Sequence, residues 1–259
     1  MKIEPVKTVY YRDEQNDEFS TAKIEAKKIT KDYQYTPKGI LWKIKRFTAY
    51  RLIATPIALL YSKLFMRQKV KNKRILKSVK GTGFFLFINH TQAVGDAFMP
   101  HVAIFPRSAY TVVHPNNVSM PLLGKFTPLL GALPIPDSVS ALKQFSKAIK
   151  QRYNEKRAII IYPEAHIWPY CTRIRNFPST AMKYPVELGA PSFTMTNVYK
   201  KSKWRKKPYV ISYIDGPFYP DTSLSQREAR EVLKEKLFEK MTERSRESDC
   251  EYIRYVKEG

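Results

Sequence analysis

The chain has 259 residues, of which 43% are hydrophobic and 13% aromatic, and this composition excludes an intrinsically disordered protein. Its 46 Lys and Arg against 23 Asp and Glu give a formal net charge of +23, which predicts attraction to a polyanion, either an anionic membrane surface or nucleic acid. The two cysteines, Cys171 and Cys250, are too far apart in sequence to suggest a disulfide framework or a metal site, and we expect a reducing, intracellular location.

Residues 1–37 are polar and carry both charge signs, and we interpret them as an extension that precedes the folded domain. They contain no apolar run typical of a secretory signal. The most apolar stretch of the chain, residues 52–61, is interrupted by Pro56 and is shorter than the ~20 residues that a membrane span requires. We therefore expect neither a signal peptide nor a transmembrane helix.

Residues 38–80 combine large apolar side chains at helical spacing with many lysines and arginines. A basic, aromatic-bearing amphipathic helix can lie in a bilayer interface, where Lys and Arg reach the phosphate headgroups. We interpret this segment as an amphipathic helical membrane-docking segment. An ordinary surface helix packed on the domain is the alternative, because apolar periodicity does not separate the two.

From residue 81 to residue 259, short apolar segments alternate with helical patterns. The predicted strands are 84–89, 109–113, 133–136, 158–162, 193–199 and 209–215, and the predicted helices are 97–105, 119–129, 138–153, 179–188 and 226–244. This alternation predicts an α/β domain with a largely parallel mixed sheet flanked by helices. Active sites of such domains lie at the carboxyl ends of the strands.

A histidine and a carboxylate follow the first of these strands. His90 comes directly after Asn89 at the strand end, and Asp96 comes six positions later. Such a pair suits a general base and the group that orients it, because the carboxylate fixes the imidazole tautomer and stabilises the imidazolium. No serine or cysteine lies in this segment, so we expect a hydroxyl of the substrate to be the nucleophile.

Four short blocks occur in a fixed order along the chain. They are Asn89-His90 with Asp96; Pro121 with Gly131-Ala132-Leu133-Pro134-Ile135; Ile161-Tyr162-Pro163-Glu164-Ala165; and the turn Gly189-Ala190-Pro191. Together they resemble the glycerolipid acyltransferase family, of the lysophosphatidate acyltransferase type, over about residues 80–220. In that resemblance, residues 38–80 correspond to N-terminal membrane-docking helices.

The resemblance implies an O-acyltransferase that moves a fatty acyl group from acyl-CoA or acyl-ACP to a hydroxyl of a glycerophospholipid such as 1-acyl-glycerol-3-phosphate. His90 and Asp96 would be catalytic, and Glu164 and Gly131 would contribute to the acceptor site. No cofactor and no metal are implied beyond the thioester co-substrate. The expected partners are anionic membrane lipids and acyl carrier protein or coenzyme A, with no specific nucleic acid. The expected location is the cytoplasmic side of the membrane, peripheral or monotopic.

The spacing of the first block differs from that of the family, which has four residues between the histidine and the aspartate. Here five residues, 91–95, separate His90 from Asp96. One additional residue in a helical turn would rotate the carboxylate away by ~100°. We therefore expect a loop or bulge, made possible by the backbone freedom of Gly95.

Two arginines that bind the acceptor phosphate in the family are also missing, since Asp137 and Ile167 stand near their positions. A phosphate would need other partners, because Asp and Ile cannot make charge-assisted contacts with it. The candidates for this part of the site are Ala165, His166, Arg173, Arg175, Lys125 and Lys143.

Two other functions stay open at this point. The missing arginines and the longer spacing are compatible with a catalytically degenerate family member that only binds lipid, and a long His90–Asp96 distance would favour it. The net charge is compatible with nucleic-acid binding, although the sequence contains no zinc-finger, RNP-like or KH-like signature.

Overall fold

A computed structural model describes residues 5–19, 25–203 and 205–258. Its strands are β1 (Lys7–Tyr11), β2 (Lys69–Lys71), β3 (Phe84–Ile88), β4 (Ala109–Val113), β5 (Ala132–Pro134), β6 (Ala158–Ile161), β7 (Ser192–Lys200), β8 (Tyr209–Phe218) and β9 (Ile253–Lys257). Its α-helices are α1 (Ile40–Phe47), α2 (Thr55–Leu60), α3 (Met99–Ile104), α4 (Asn116–Ser119), α5 (Val139–Asn154), α6 (Lys183–Leu188) and α7 (Gln226–Ser245). Short 3-10 turns cover Lys73–Val79, Gly95–Ala97, Leu123–Lys125 and Ser179–Met182.

Seven strands form the central sheet in the order β2-β8-β7-β3-β6-β4-β5. The five strands from β7 to β5 are parallel, whereas β8 pairs antiparallel with β7, and β2 runs with β8. The predicted largely parallel mixed sheet is thus confirmed. Because β3 is a central strand, its carboxyl end lies between those of β6 and β7, and loops from these strands can meet there.

Helices cover both faces of the sheet, which is why the central strands are apolar on both sides. Phe85 and Phe87 of β3 lie in one core cluster with residues of α5 and α7. Phe84, Leu86 and Ile88 of the same strand lie in a second cluster with residues of α3. All five side chains are fully buried, so β3 holds the residue that follows it in a fixed position.

The long helices α5 and α7, which begin at a capping serine, agree with the sequence pattern. Ser138 caps α5 as predicted, because its Oγ accepts a hydrogen bond from the N–H of Ala141 at 3.3 Å. The helix predicted over 119–129 was wrong, since this stretch holds only the end of α4 and a 3-10 turn. Pro121 and Gly124 explain the difference: a β-carbon at Gly124 would lie 2.6 Å from the carbonyl oxygen of Val118.

The segment from residue 40 to residue 65, here called the N-terminal helix, is continuous, with α1 and α2 alternating with π-helical stretches at Thr48–Ala54 and Tyr61–Phe65. A stripe of less exposed side chains recurs every fourth residue: Trp42, Arg46, Tyr50, Ala54, Ala58 and Ser62. In an α-helix this stripe would drift by ~40° per repeat. The wider π turns drift the opposite way, so the stripe stays against the domain.

Ten large apolar side chains on the rest of the N-terminal helix are more than half exposed. They are Ile40, Leu41, Ile44, Phe47, Leu52, Ile53, Ile57, Leu60, Leu64 and Phe65. Within the described ranges, no helix has the length and apolar character to cross a membrane.

Part of the N-terminal region 1–37, expected to be a polar extension, packs against the domain. β1 pairs in parallel with β9 to form a separate two-stranded sheet, and Ile29 and Tyr35 are buried in the core cluster of α5 and α7. The Tyr35 hydroxyl donates a hydrogen bond to the carbonyl of Pro134 at 2.8 Å. Sequence patterning missed β1 and β9 because each is short and mostly exposed.

Candidate active site

The structure brings His90 and Asp96 into direct contact at the carboxyl end of β3. Nδ1 of His90 lies 2.8 Å from Oδ2 of Asp96. The carboxylate is nearly fully buried, whereas 17% of the imidazole is exposed, so the base reaches solvent and its partner does not. The His–Asp distance does not support the degenerate alternative. The five intervening residues are accommodated by a loop, as expected.

Backbone groups of this loop hold the Asp96 carboxylate in place. Its Oδ2 accepts hydrogen bonds from the N–H groups of Thr91 at 3.0 Å and Gln92 at 2.9 Å, besides the contact with His90. These three contacts fix the position of Oδ2 beside the imidazole. Gly95 contributes differently from the prediction: its φ is not in the left-handed region, and a β-carbon there would lie 3.0 Å from Cβ of Gln92. The glycine therefore provides space for the loop to close.

This geometry fixes the chemistry that His90 can perform. An ionised Asp96 accepts the hydrogen of Nδ1, so Nε2 is the nitrogen that carries a lone pair. An imidazole in this state can take a proton from a hydroxyl that approaches Nε2, and the adjacent carboxylate then stabilises the imidazolium. The pair is thus equipped for general-base catalysis.

Glu164 lies directly behind His90, at the carboxyl end of β6, as the strand-end argument predicted. Its Oε2 accepts the backbone N–H of His90 at 3.0 Å, and its Oε1 accepts the backbone N–H of Arg175 at 2.9 Å. The Arg175 guanidinium lies 3.1 Å from Oε2, and both side chains are about 1% exposed. Glu164 therefore joins two loops around His90, and its role in acceptor binding stays a prediction.

The predicted phosphate-binding candidates near Glu164 already have carboxylate partners. Arg175 pairs with Glu164 and stacks on Trp168 at 4.8 Å, while Arg173 pairs with Glu14 of the N-terminal region. His166 lies on the same loop, and its Nδ1 lies 3.2 Å from Oε2 of Glu18. The neighbouring Ala165 adopts a positive φ of 61° in the turn after β6. The more distant candidates, Lys125 and Lys143, are exposed on the 3-10 turn after α4 and on α5, respectively.

Gly131 is not brought to His90, contrary to its predicted place in the site. Gly131 precedes β5 and lies level with Tyr110 of β4, which in turn is level with Phe85 of β3. His90 comes five residues after Phe85, so Gly131 and His90 are separated by about 16 Å along the strand direction. A β-carbon at Gly131 would lie 2.5 Å from the carbonyl oxygen of Ala109, and its φ is 98°. Close approach of the chain to β4, with a positive φ, explains the glycine.

Sequence reasoning missed Tyr162, which directly follows β6. Its ring stacks on the His90 imidazole with the ring centroids 4.2 Å apart, and its hydroxyl donates to the Asp96 carbonyl at 2.7 Å. The sequence feature that could have identified Tyr162 is its position at a strand end, immediately before Pro163-Glu164.

The remaining candidates for chemistry are structural. Cys171 is buried, and burial raises the pKa of its thiol to about 12, so the residue is a poor nucleophile. Nδ1 of His101 lies 2.7 Å from the Tyr50 hydroxyl. His114 accepts the backbone N–H of Asn116 at 3.3 Å.

Comparison with known proteins identifies a solved structure with a similar fold. No family model and no curated protein matches the chain. Among solved structures, it matches PlsC, the 1-acyl-sn-glycerophosphate (LPA) acyltransferase from Thermotoga maritima, with a TM-score of 0.52 and 17% sequence identity. The match covers 78% of this chain and 79% of that chain. The chain therefore has the fold of a glycerolipid acyltransferase, as its four sequence blocks predicted.

Proposed function

We propose that the protein is a membrane-peripheral O-acyltransferase that transfers a fatty acyl group from a thioester to a hydroxyl of a glycerophospholipid-type acceptor. The observation that carries the proposal is the 2.8 Å contact between His90 and Asp96 at a strand end of a PlsC-like fold. Fold alone would support many activities, whereas a buried carboxylate that orients a solvent-reaching imidazole supports proton transfer.

The proposed reaction uses His90 as base and then as acid. Nε2 takes the proton of the acceptor hydroxyl while its oxygen attacks the thioester carbonyl, and a tetrahedral oxyanion forms. The intermediate collapses by breaking the carbon–sulfur bond, and the proton on Nε2 passes to the leaving thiolate. The products are an ester and a free thiol, and Asp96 stabilises the imidazolium between the two steps.

The donor would be acyl-CoA or acyl-ACP, and the acceptor a lipid such as 1-acyl-glycerol-3-phosphate. His166 and Arg173 already bond Glu18 and Glu14. An acceptor phosphate that used these two side chains would have to displace the two carboxylates of the N-terminal region. The identity of the headgroup is therefore the first question for lipid mass spectrometry after overexpression of the protein.

Membrane association would bring the enzyme to its lipid acceptor. The exposed apolar face of the N-terminal helix supports this part of the proposal. Single exposed apolar residues are normal on a protein surface, whereas ten on one helix form a patch of the kind that marks a membrane or protein contact. Lys43, Lys45 and Lys63 are exposed on the same helix and would contact the anionic headgroups of the cytoplasmic leaflet.

The direct test is His90→Ala in an assay with labelled acyl-CoA or acyl-ACP and a series of lysophospholipids. Removal of a general base lowers the rate by ~10²–10⁴, and we expect that loss in a His90→Ala protein that remains folded at the assay temperature. His114→Ala is the matched control, since His114 is exposed and outside the pair. Acyl transfer that is undiminished in His90→Ala would contradict the mechanism, and lipid binding without any transfer by the wild type would favour the binding-only alternative.

A further inference from the structure

Tyr162 contacts both members of the His90–Asp96 pair at the same time. Its ring is inclined by only 26° to the imidazole at 4.2 Å, which is a stacked arrangement. Its hydroxyl donates to the backbone carbonyl of Asp96 at 2.7 Å. Burial, followed by the nearby Asp96 charge, raises the pKa of Tyr162 well above 10, so the hydroxyl remains a donor throughout the working pH range.

The loop that carries Asp96 is held by tertiary contacts, of which the Tyr162 hydrogen bond is one. Residues 91–94 have no helical or strand structure, and Asp96 lies in the short turn Gly95–Ala97. A straight bond between Nδ1 and Oδ2 requires that both the imidazole plane and the Asp96 backbone stay fixed. Tyr162 restricts the first by stacking and the second by its hydrogen bond, and β6 anchors it directly upstream at buried Ile161.

We infer that Tyr162 is a positioning residue that keeps His90 and Asp96 aligned for proton transfer. The inference rests on the proposed acyltransferase function for its kinetic consequence, but its geometric consequence does not require any activity. Tyr162 acts through the pair and needs no contact with substrate.

Two variants separate the two contacts. Tyr162→Phe keeps the ring and removes the hydrogen bond, and we expect kcat to fall about 3- to 10-fold, the effect of one hydrogen bond, with KM unchanged. Tyr162→Leu also removes the stacking, and we expect a larger fall, about 10- to 100-fold. A change in KM with an unchanged kcat would show that Tyr162 binds substrate and would overturn the inference.

A double-mutant cycle with Asp96→Asn tests whether Tyr162 acts through the pair. If it does, Tyr162→Phe lowers kcat in the wild type but not further in the Asp96→Asn background, because the geometry it protects is already lost. Equal losses in both backgrounds would assign Tyr162 an independent role and overturn the inference.

The ¹⁵N chemical shifts of the His90 ring nitrogens give a readout without substrate. We expect the wild type to show the tautomer with hydrogen on Nδ1, and the folded Tyr162→Leu variant to show a mixture of tautomers. If Tyr162→Leu does not fold, Tyr162→Phe, which keeps the ring volume, serves for the comparison and should move the shifts in the same direction. Shifts identical to those of the wild type in the folded variants would overturn the inference, even if the protein proves to have no acyltransferase activity.

Discussion

Arg173 and Arg175 lie two positions apart on one loop but in opposite environments. The Arg175 side chain is about 1% exposed and pairs with the equally buried Glu164, whereas 43% of the Arg173 side chain is exposed beside Glu14. Loss of one partner of a buried pair leaves an uncompensated charge, whereas an exposed pair contributes little because water screens it.

Substitution of the two arginines should therefore have very different costs. We expect Arg175→Leu to lower the free energy of unfolding by about 3–5 kcal/mol, and Arg173→Leu by less than about 1 kcal/mol. Urea denaturation monitored by tryptophan fluorescence measures both, and Arg173→Leu is the matched control. Equal and small effects of the two substitutions would mean that Arg175 is not needed to compensate the buried charge of Glu164.

At the scale of elements, His101 and Tyr50 join α3 to the N-terminal helix. Burial, then the charges of Arg46 and Arg51, lower the pKa of His101 to about 4 from an ordinary 6.5. The neutral ring accepts the Tyr50 hydroxyl at Nδ1, an arrangement that protonation would disrupt. The contact between the two elements is therefore sensitive to acid.

The sign of the pH effect follows from this lowered pKa. Between about pH 6.5 and pH 4 the unfolded chain binds a proton at His101 and the folded protein does not. The contribution of His101 to the free energy of unfolding is therefore fully present above pH 6.5 and is lost as the pH drops towards 4. The contribution of His101 is on the order of 3 kcal/mol. We expect His101→Gln to flatten this part of the stability profile in thermal unfolding, and His114→Gln to leave it unchanged. An equally steep profile in His101→Gln would assign the acid sensitivity to other groups.

The outward face of the N-terminal helix can be tested apart from its inward stripe. Leu52 and Leu60 are 61% and 59% exposed, so replacing both with Glu should leave the unfolding midpoint unchanged. Each leucine contributes about 1.5–3 kcal/mol when buried, so we expect vesicle flotation to weaken at least about tenfold. Val139→Glu, at an even more exposed apolar position on α5 (80%), is the control and should float like the wild type. Unchanged flotation of the double variant would exclude this face as the docking surface.

At the scale of the whole molecule, the net charge of +23 should make membrane binding strongly dependent on salt. Between 0.1 M and 1 M salt the Debye length shortens from about 10 Å to about 3 Å, so we expect flotation with anionic vesicles to fall while the weaker flotation with neutral vesicles stays constant. Gel shifts with DNA and RNA at physiological salt test the alternative polyanion. Tight nucleic-acid binding without vesicle binding would reverse our interpretation of the charge.

The pattern of apolar segments was sufficient to predict the α/β fold and the location of His90 and Glu164, because parallel strands deliver their carboxyl ends to one edge. It misplaced Gly131, since order along the chain does not tell at which level of the sheet a residue lies. It also misjudged residues 119–129, where helical spacing was outweighed by Pro121 and by the close packing of Gly124.

The sequence by itself determined the chemistry that is local: a histidine after a buried strand, a carboxylate six positions on, the capped helix α5 and the large positive charge. Only the tertiary structure decided whether His90 and Asp96 meet, that Glu164 pairs with Arg175, and that Tyr162 contacts both partners. The physical reason is that strand and helix patterns depend on neighbours along the chain, whereas loop closure and ion pairing depend on packing between segments that are distant in sequence.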